Sequence, residues 1–138
     1  ADRPVFTHEI VHSLLSQVSK IDNGGDWLQE GLASWFQLQF HPQKNWNAIV
    51  VHGLESEGAR LPLERLLDGK RIPDNRYWQA ATVVDYLIRG SGKFKPLLAA
   101  MAKSGSTSIE PHLESILATH MSKLSSDWEN WCRERHAK

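Results

Sequence analysis

The stretch "DNRYWQAATVVDYLIRGSG", residues 74–92, is the feature that most narrows the choice of fold. Within it Tyr77, Ala80, Ala81, Val84, Leu87 and Ile88 recur three and four positions apart, which puts them on one stripe of an α-helix, and Gly90 and Gly92 supply the stop. The two-residue alternation of a half-buried strand is missing here, and no run elsewhere shows it convincingly. Pro4 suits a first helical turn, and Val5, Phe6, Ile10, Leu14, Leu15 and Val18 then predict a helix at about 4–18. "KIDNGGD" supplies a turn, and Asp26 is placed to cap a second helix carrying Trp27, Leu28, Leu32, Trp35, Phe36 and Phe40, which ends near His41-Pro42. "NWNAIVVHGLESEG" predicts a third helix, "LPLERLL" a short one closed by Asp68-Gly69, and "KFKPLLAAMAKSG" another with Pro96 in its first turn. "SIEPHLESILATHM" and "LSSDWENWCRERHAK" are the final helical segments, with Ser125 or Ser126 as N-cap and Arg133, Arg135 and Lys138 beside a C-terminal dipole. The expected fold class is therefore all-α, with residues 1–138 forming one domain.

Composition sets the limits on partners. At 138 residues the chain is long enough to bury a real core. Its 16 basic side chains balance 16 acidic ones, which argues against a nucleic-acid surface. No apolar run reaches the roughly 20 residues a membrane-spanning helix needs. Cys132 is the single cysteine, so neither an intramolecular disulfide nor a cysteine zinc cluster can form, and it is expected to be half-buried on the last helix. The compartment and the oligomeric state stay open.

The chemistry is concentrated in "HEIVH", residues 8–12. On a helix His8 and His12 project from one face one turn apart, so both imidazoles can share one metal ion. Water on such an ion becomes a nucleophile near neutral pH, and Glu9, next to the first ligand, can take its proton. Chance would produce this five-residue pattern in a chain of this composition with a frequency of roughly 2%, so a third ligand is needed to raise it above coincidence. Glu30 lies 18 positions after His12, across the Gly-Gly turn, on a helix expected to run antiparallel to the first. With Trp27, Leu28, Leu32 and Trp35 around it, Glu30 should sit close to a buried face, where a carboxylate needs a partner. Zinc bound by two histidines and one carboxylate keeps its fourth position open, the arrangement of a catalytic centre.

"HEIVH", 17 further residues and then Glu30 within "WLQEGLASWF" resemble the gluzincin zinc metallopeptidases, in particular peptidase MA-like domains and the catalytic helices of the membrane-alanyl-aminopeptidase family. The resemblance implies His8, His12 and Glu30 as zinc ligands, Glu9 as general base, and a peptide or protein as substrate. It also implies that Tyr77, opening the helix of "RYWQAATVVDYLIRG", donates its hydroxyl to the oxyanion of the tetrahedral intermediate; a core tyrosine on the apolar stripe is the alternative. Gluzincins place a small sheet ahead of the first ligand helix, and this chain has no segment for it, so it is expected to be the helical part of a zincin fold and a piece of a longer protein.

The remaining candidates have simpler explanations. His41, His52, His112, His120 and His136 lack ligand spacing and are assigned to the surface or to caps. Asp22 and Asp26 could orient a histidine ligand, although capping already accounts for Asp26. The tryptophans are assigned mainly to core or interface, with a cleft-lining position open to Trp78. Zinc-dependent peptide hydrolysis is the leading expectation. A catalytically silent zinc-containing helical module used for structure or partner binding, and a hydrolase of non-peptide amides or esters, stand as alternatives.

Overall fold

The computed structural model describes residues 25–137. These form α1 (Trp27–Phe40), α2 (Trp46–Glu55), the single-turn α3 (Leu63–Leu66), a 3₁₀ turn (Asp74–Arg76), α4 (Tyr77–Asp85) continuing into one π-turn (Tyr86–Gly90), α5 (Phe94–Ser104), a second 3₁₀ turn (Glu110–His112) and α6 (Met121–His136). No strand occurs among the described residues, so the all-α expectation holds for them. The helix expected at 4–18 lies outside the described residues.

Helix α4 is the hub. It lies along α1 for most of its length, and α2 and α6 also pack on it. This explains why its burial exceeds a single stripe: Gln79, Thr82 and Val83 are buried together with Ala80, Ala81, Val84 and Leu87. Buried polar groups on such a helix need internal partners. Gln79 finds them on the Leu61 backbone, its Nε2 donating to the carbonyl at 2.8 Å and its Oε1 accepting from the amide at 2.9 Å. Thr82 donates to the Gln79 carbonyl at 2.7 Å and accepts from the Trp128 indole at 3.0 Å, which ties α4 to α6. At Tyr86 the helix widens into the π-turn, where the Ser91 amide donates to the Tyr86 carbonyl at 2.9 Å. Gly90 permits this, since a Cβ there would lie 2.6 Å from the Tyr86 ring.

Three expectations near the C-terminus need correction. "SIEPHLESILATHM" is not a helix: after Glu110–His112 the chain runs through turns, with Ala118 at φ 52°. Pro111 removes a backbone donor, and the buried Ile109 and Leu113 are set by irregular turns instead. Neither Ser125 nor Ser126 caps α6; both lie inside it, and His120 is the cap, its Nδ1 accepting from the Lys123 amide at 3.3 Å. The physical reason is the buried row Leu124, Trp128 and Cys132, which requires a helix already formed by residue 124. Arg133 and Arg135 do sit in the last turn. Cys132 is fully rather than half buried, and burial pushes its thiol up to about 12, far from the range of a reactive thiolate.

Candidate functional site

The first turn of α1 is built around Asp26. Its Oδ1 accepts from the Gln29 amide at 2.8 Å, as an N-cap should, and its Oδ2 accepts from the Thr107 hydroxyl at 2.8 Å. The Trp27 indole donates to the Thr107 carbonyl at 2.6 Å. Burial pushes the Asp26 carboxyl above its ordinary value, against the opposing pull of these hydrogen bonds. The Ile72 amide donates to the Gly25 carbonyl at 2.8 Å, so the loop before α4 is fastened to the entry of α1. This end of the helix is held by two other parts of the chain, at Ile72 and at Thr107.

Glu30 follows one turn later, its amide bonded to the Asp26 carbonyl at 3.0 Å. It is 6% exposed, as its apolar neighbours led one to expect. A carboxylate in the first turn faces the positive end of the helix dipole. Gly31 brings α1 hard against α4, because a methyl group there would lie 2.8 Å from the Ala80 carbonyl oxygen. That close approach brings Tyr77, the first residue of α4, near enough to Glu30 for the carboxylate charge to act on the phenol. Burial first, and then the charge of the nearby Glu30 carboxylate, hold the Tyr77 hydroxyl above its usual value. It is therefore a proton-carrying donor throughout the neutral range.

The sequence separates Glu30 and Tyr77 by 47 positions, and the fold brings them into contact. His8, Glu9, His12 and Asp22 lie outside the described residues. Among the described residues no group of three or more His, Cys, Asp or Glu side chains could hold a metal ion, so a centre built on Glu30 needs ligands from outside 25–137. Glu30 fits that role chemically, being a buried oxygen donor anchored on a helix.

Beside Tyr77 runs a cavity of about 190 Å³ lined by Ser34, Leu38, Trp46 and Trp78 among others. Trp78 does line a cleft, and its ring packs over Gly53, where no Cβ could be accommodated. Across Leu38 and Trp46 a second cavity of about 240 Å³ adjoins the first and reaches Asp85, Arg89, Arg135 and His136. Sequence inspection missed Asp85. Its signal was a lone acid in an apolar helix, a position that requires partners. Those partners come from α1 and α6: the indoles of Trp35 and Trp131 donate to its two oxygens at 3.0 and 3.3 Å.

His136 borders the second cavity, 2.6 Å from the Asn47 side-chain oxygen. Burial, reinforced by the charge of Arg135 and partly offset by Asp85, lowers its imidazole below the usual value, with the Lys44 ammonium on the same cavity wall. A depressed histidine binds its proton later in the folded than in the unfolded chain, so its contribution is complete above about pH 6.5 and fades as pH falls through the folded value. Thermal unfolding should show a larger loss between about pH 7.5 and 5.5 for the native chain than for His136→Asn. Equal losses would show that this imidazole is not linked to folding.

No family model, curated protein or solved structure matches the chain.

Proposed function

We propose that the chain performs zinc-dependent peptide-bond hydrolysis, with His8, His12 and Glu30 as the metal ligands. One observation carries the proposal beyond the motif: Glu30, the third ligand named from spacing and resemblance, is buried at 6% exposure and lies close enough to Tyr77, the oxyanion donor implied by the same resemblance, for its charge to act on the phenol. A core tyrosine chosen only for its apolar ring would have no need to meet that one carboxylate. Zinc, when held there, would supply a Lewis acid that polarises a carbonyl and acidifies water. Glu9 would take the proton of the attacking water and pass it to the departing amine. Tyr77 would steady the substrate carbonyl oxygen as it gains charge, its proton retained for the reasons given above. The cavity beside Tyr77 offers a substrate side chain walls divided between Leu38, Trp46, Tyr77 and Trp78 and the polar Ser34, Gln37, His41 and Gln43.

The test is elemental analysis of the full chain together with hydrolysis of a peptide mixture. One zinc per chain is expected, with activity lost to a chelator and restored by zinc. His12→Gln and Glu30→Gln should each weaken zinc binding beyond the roughly 10–100-fold that outer-shell changes cost. Absence of stoichiometric zinc would end the proposal. Stoichiometric zinc without hydrolysis of any peptide would favour the silent zinc-containing module.

A further inference from the structure

The second cavity contains a feature that peptide hydrolysis at Glu30 does not use. Asp85, 9% exposed, holds two guanidinium groups by their inner nitrogens: Arg89 Nε lies 3.5 Å from Oδ1 and Arg135 Nε 3.1 Å from Oδ2. Each is stacked on an indole, Arg89 at 5.7 Å from the Trp35 ring centre and Arg135 at 5.1 Å from that of Trp131. Arg89 also donates through an outer nitrogen to Gln39 Oε1 at 2.7 Å. Two cations therefore face one carboxylate, and Lys44 adds a third positive charge to the same wall. A structural ion pair would need one guanidinium, not two.

The geometry matters as much as the sign. Arg135, which lines the cavity, is oriented through Nε and by its stacking face, and its two outer nitrogens, the fork that binds carboxylates bidentately, have no hydrogen-bond partner among the described residues. Because the guanidinium is already immobilised, little side-chain entropy remains to be lost on binding. Trp35, Leu38, Pro42, Trp46 and Ala81 give the cavity apolar surface, alongside the polar Gln43, Asn47 and Thr82. A volume of about 240 Å³ corresponds to roughly eight waters, enough for a carboxylate with one aliphatic side chain.

We propose that this cavity is a receptor for a carboxylate carrying a small apolar group, either the C-terminal end of a peptide or a free aliphatic acid, with Arg135 as the principal ligand. The inference does not depend on zinc. Trp35 and Trp46 line the cavity, so tryptophan fluorescence of the full chain reports on it directly. Titration with N-acetylleucine should saturate with an affinity at least about tenfold above that for N-acetylleucinamide, the difference expected for a bidentate charge-assisted pair. Arg135→Gln should erase that preference, whereas Arg133→Gln, whose side chain pairs with Glu129 instead, should keep it. Binding of 4-methylpentanoate as tight as that of N-acetylleucine would assign the site to free acids, and much weaker binding would assign it to peptide ends; both uphold a carboxylate receptor. Equal affinity for acid and amide, or no saturable signal from either, would overturn the proposal and leave Arg135 as a purely structural clasp. The acid-to-amide comparison needs no substitution, so a poorly folded variant would not shelter the proposal.

Discussion

Glu9→Gln should reduce peptide hydrolysis by roughly 10²–10⁴-fold while leaving one zinc bound per chain. Glutamine has nearly the same size as glutamate and no charge, so it preserves the packing of the site but cannot accept a proton. Zinc content should be unchanged because Glu9 is not among the proposed ligands. The measurement pairs initial rates on a peptide with elemental analysis of the same preparation. A variant with normal zinc and undiminished hydrolysis would remove Glu9 from the mechanism. If both zinc and activity fell, residue 9 would belong to the ligand set or to its support. The paired readout separates those cases, which a rate alone would not.

Trp128→Ala should lower stability by about 3–5 kcal/mol, or roughly 10–20 °C in Tm. Trp128 is 1% exposed and reaches from α6 into α4, with Arg60 over its ring at 5.9 Å. Truncation would leave a large cavity between the two helices and remove the donor from the Thr82 hydroxyl. Trp128→Phe keeps most of the apolar contact and loses mainly that hydrogen bond, so about 1–2 kcal/mol is expected. Denaturant unfolding of the three proteins is the check. A loss under about 1 kcal/mol for the alanine variant would mean that α6 contributes little to the core.

The two ends of the Glu30–Tyr77 pair were legible for different reasons. Glu30 was conspicuous as a lone acid among Trp27, Leu28, Leu32 and Trp35, and Tyr77 as the first residue of a strongly periodic helix. Their contact was not legible. It depends on Gly31 allowing α1 to approach the Ala80 carbonyl, and a glycine in a helical pattern does not reveal which backbone comes near it. Asp26 was readable as a cap because capping is local, but its second partner, Thr107, is 81 positions away. The start of α6 was misplaced for the opposite reason: a serine cap is the commoner local choice, and the burial of Leu124 outweighed it.

Periodicity and turn chemistry in the sequence sufficed to establish the described helices α1 to α5 and the cap at Asp26, and to motivate the proposal for "HEIVH", because each rests on spacings within a few turns of one chain segment. Only the tertiary structure decided that Tyr77 meets Glu30, that Gln79 and Asp85 are buried hubs, and that Arg89 and Arg135 converge on one carboxylate at a cavity wall. Those outcomes depend on which helix faces are pressed together, and packing between distant segments has no period of its own to be read.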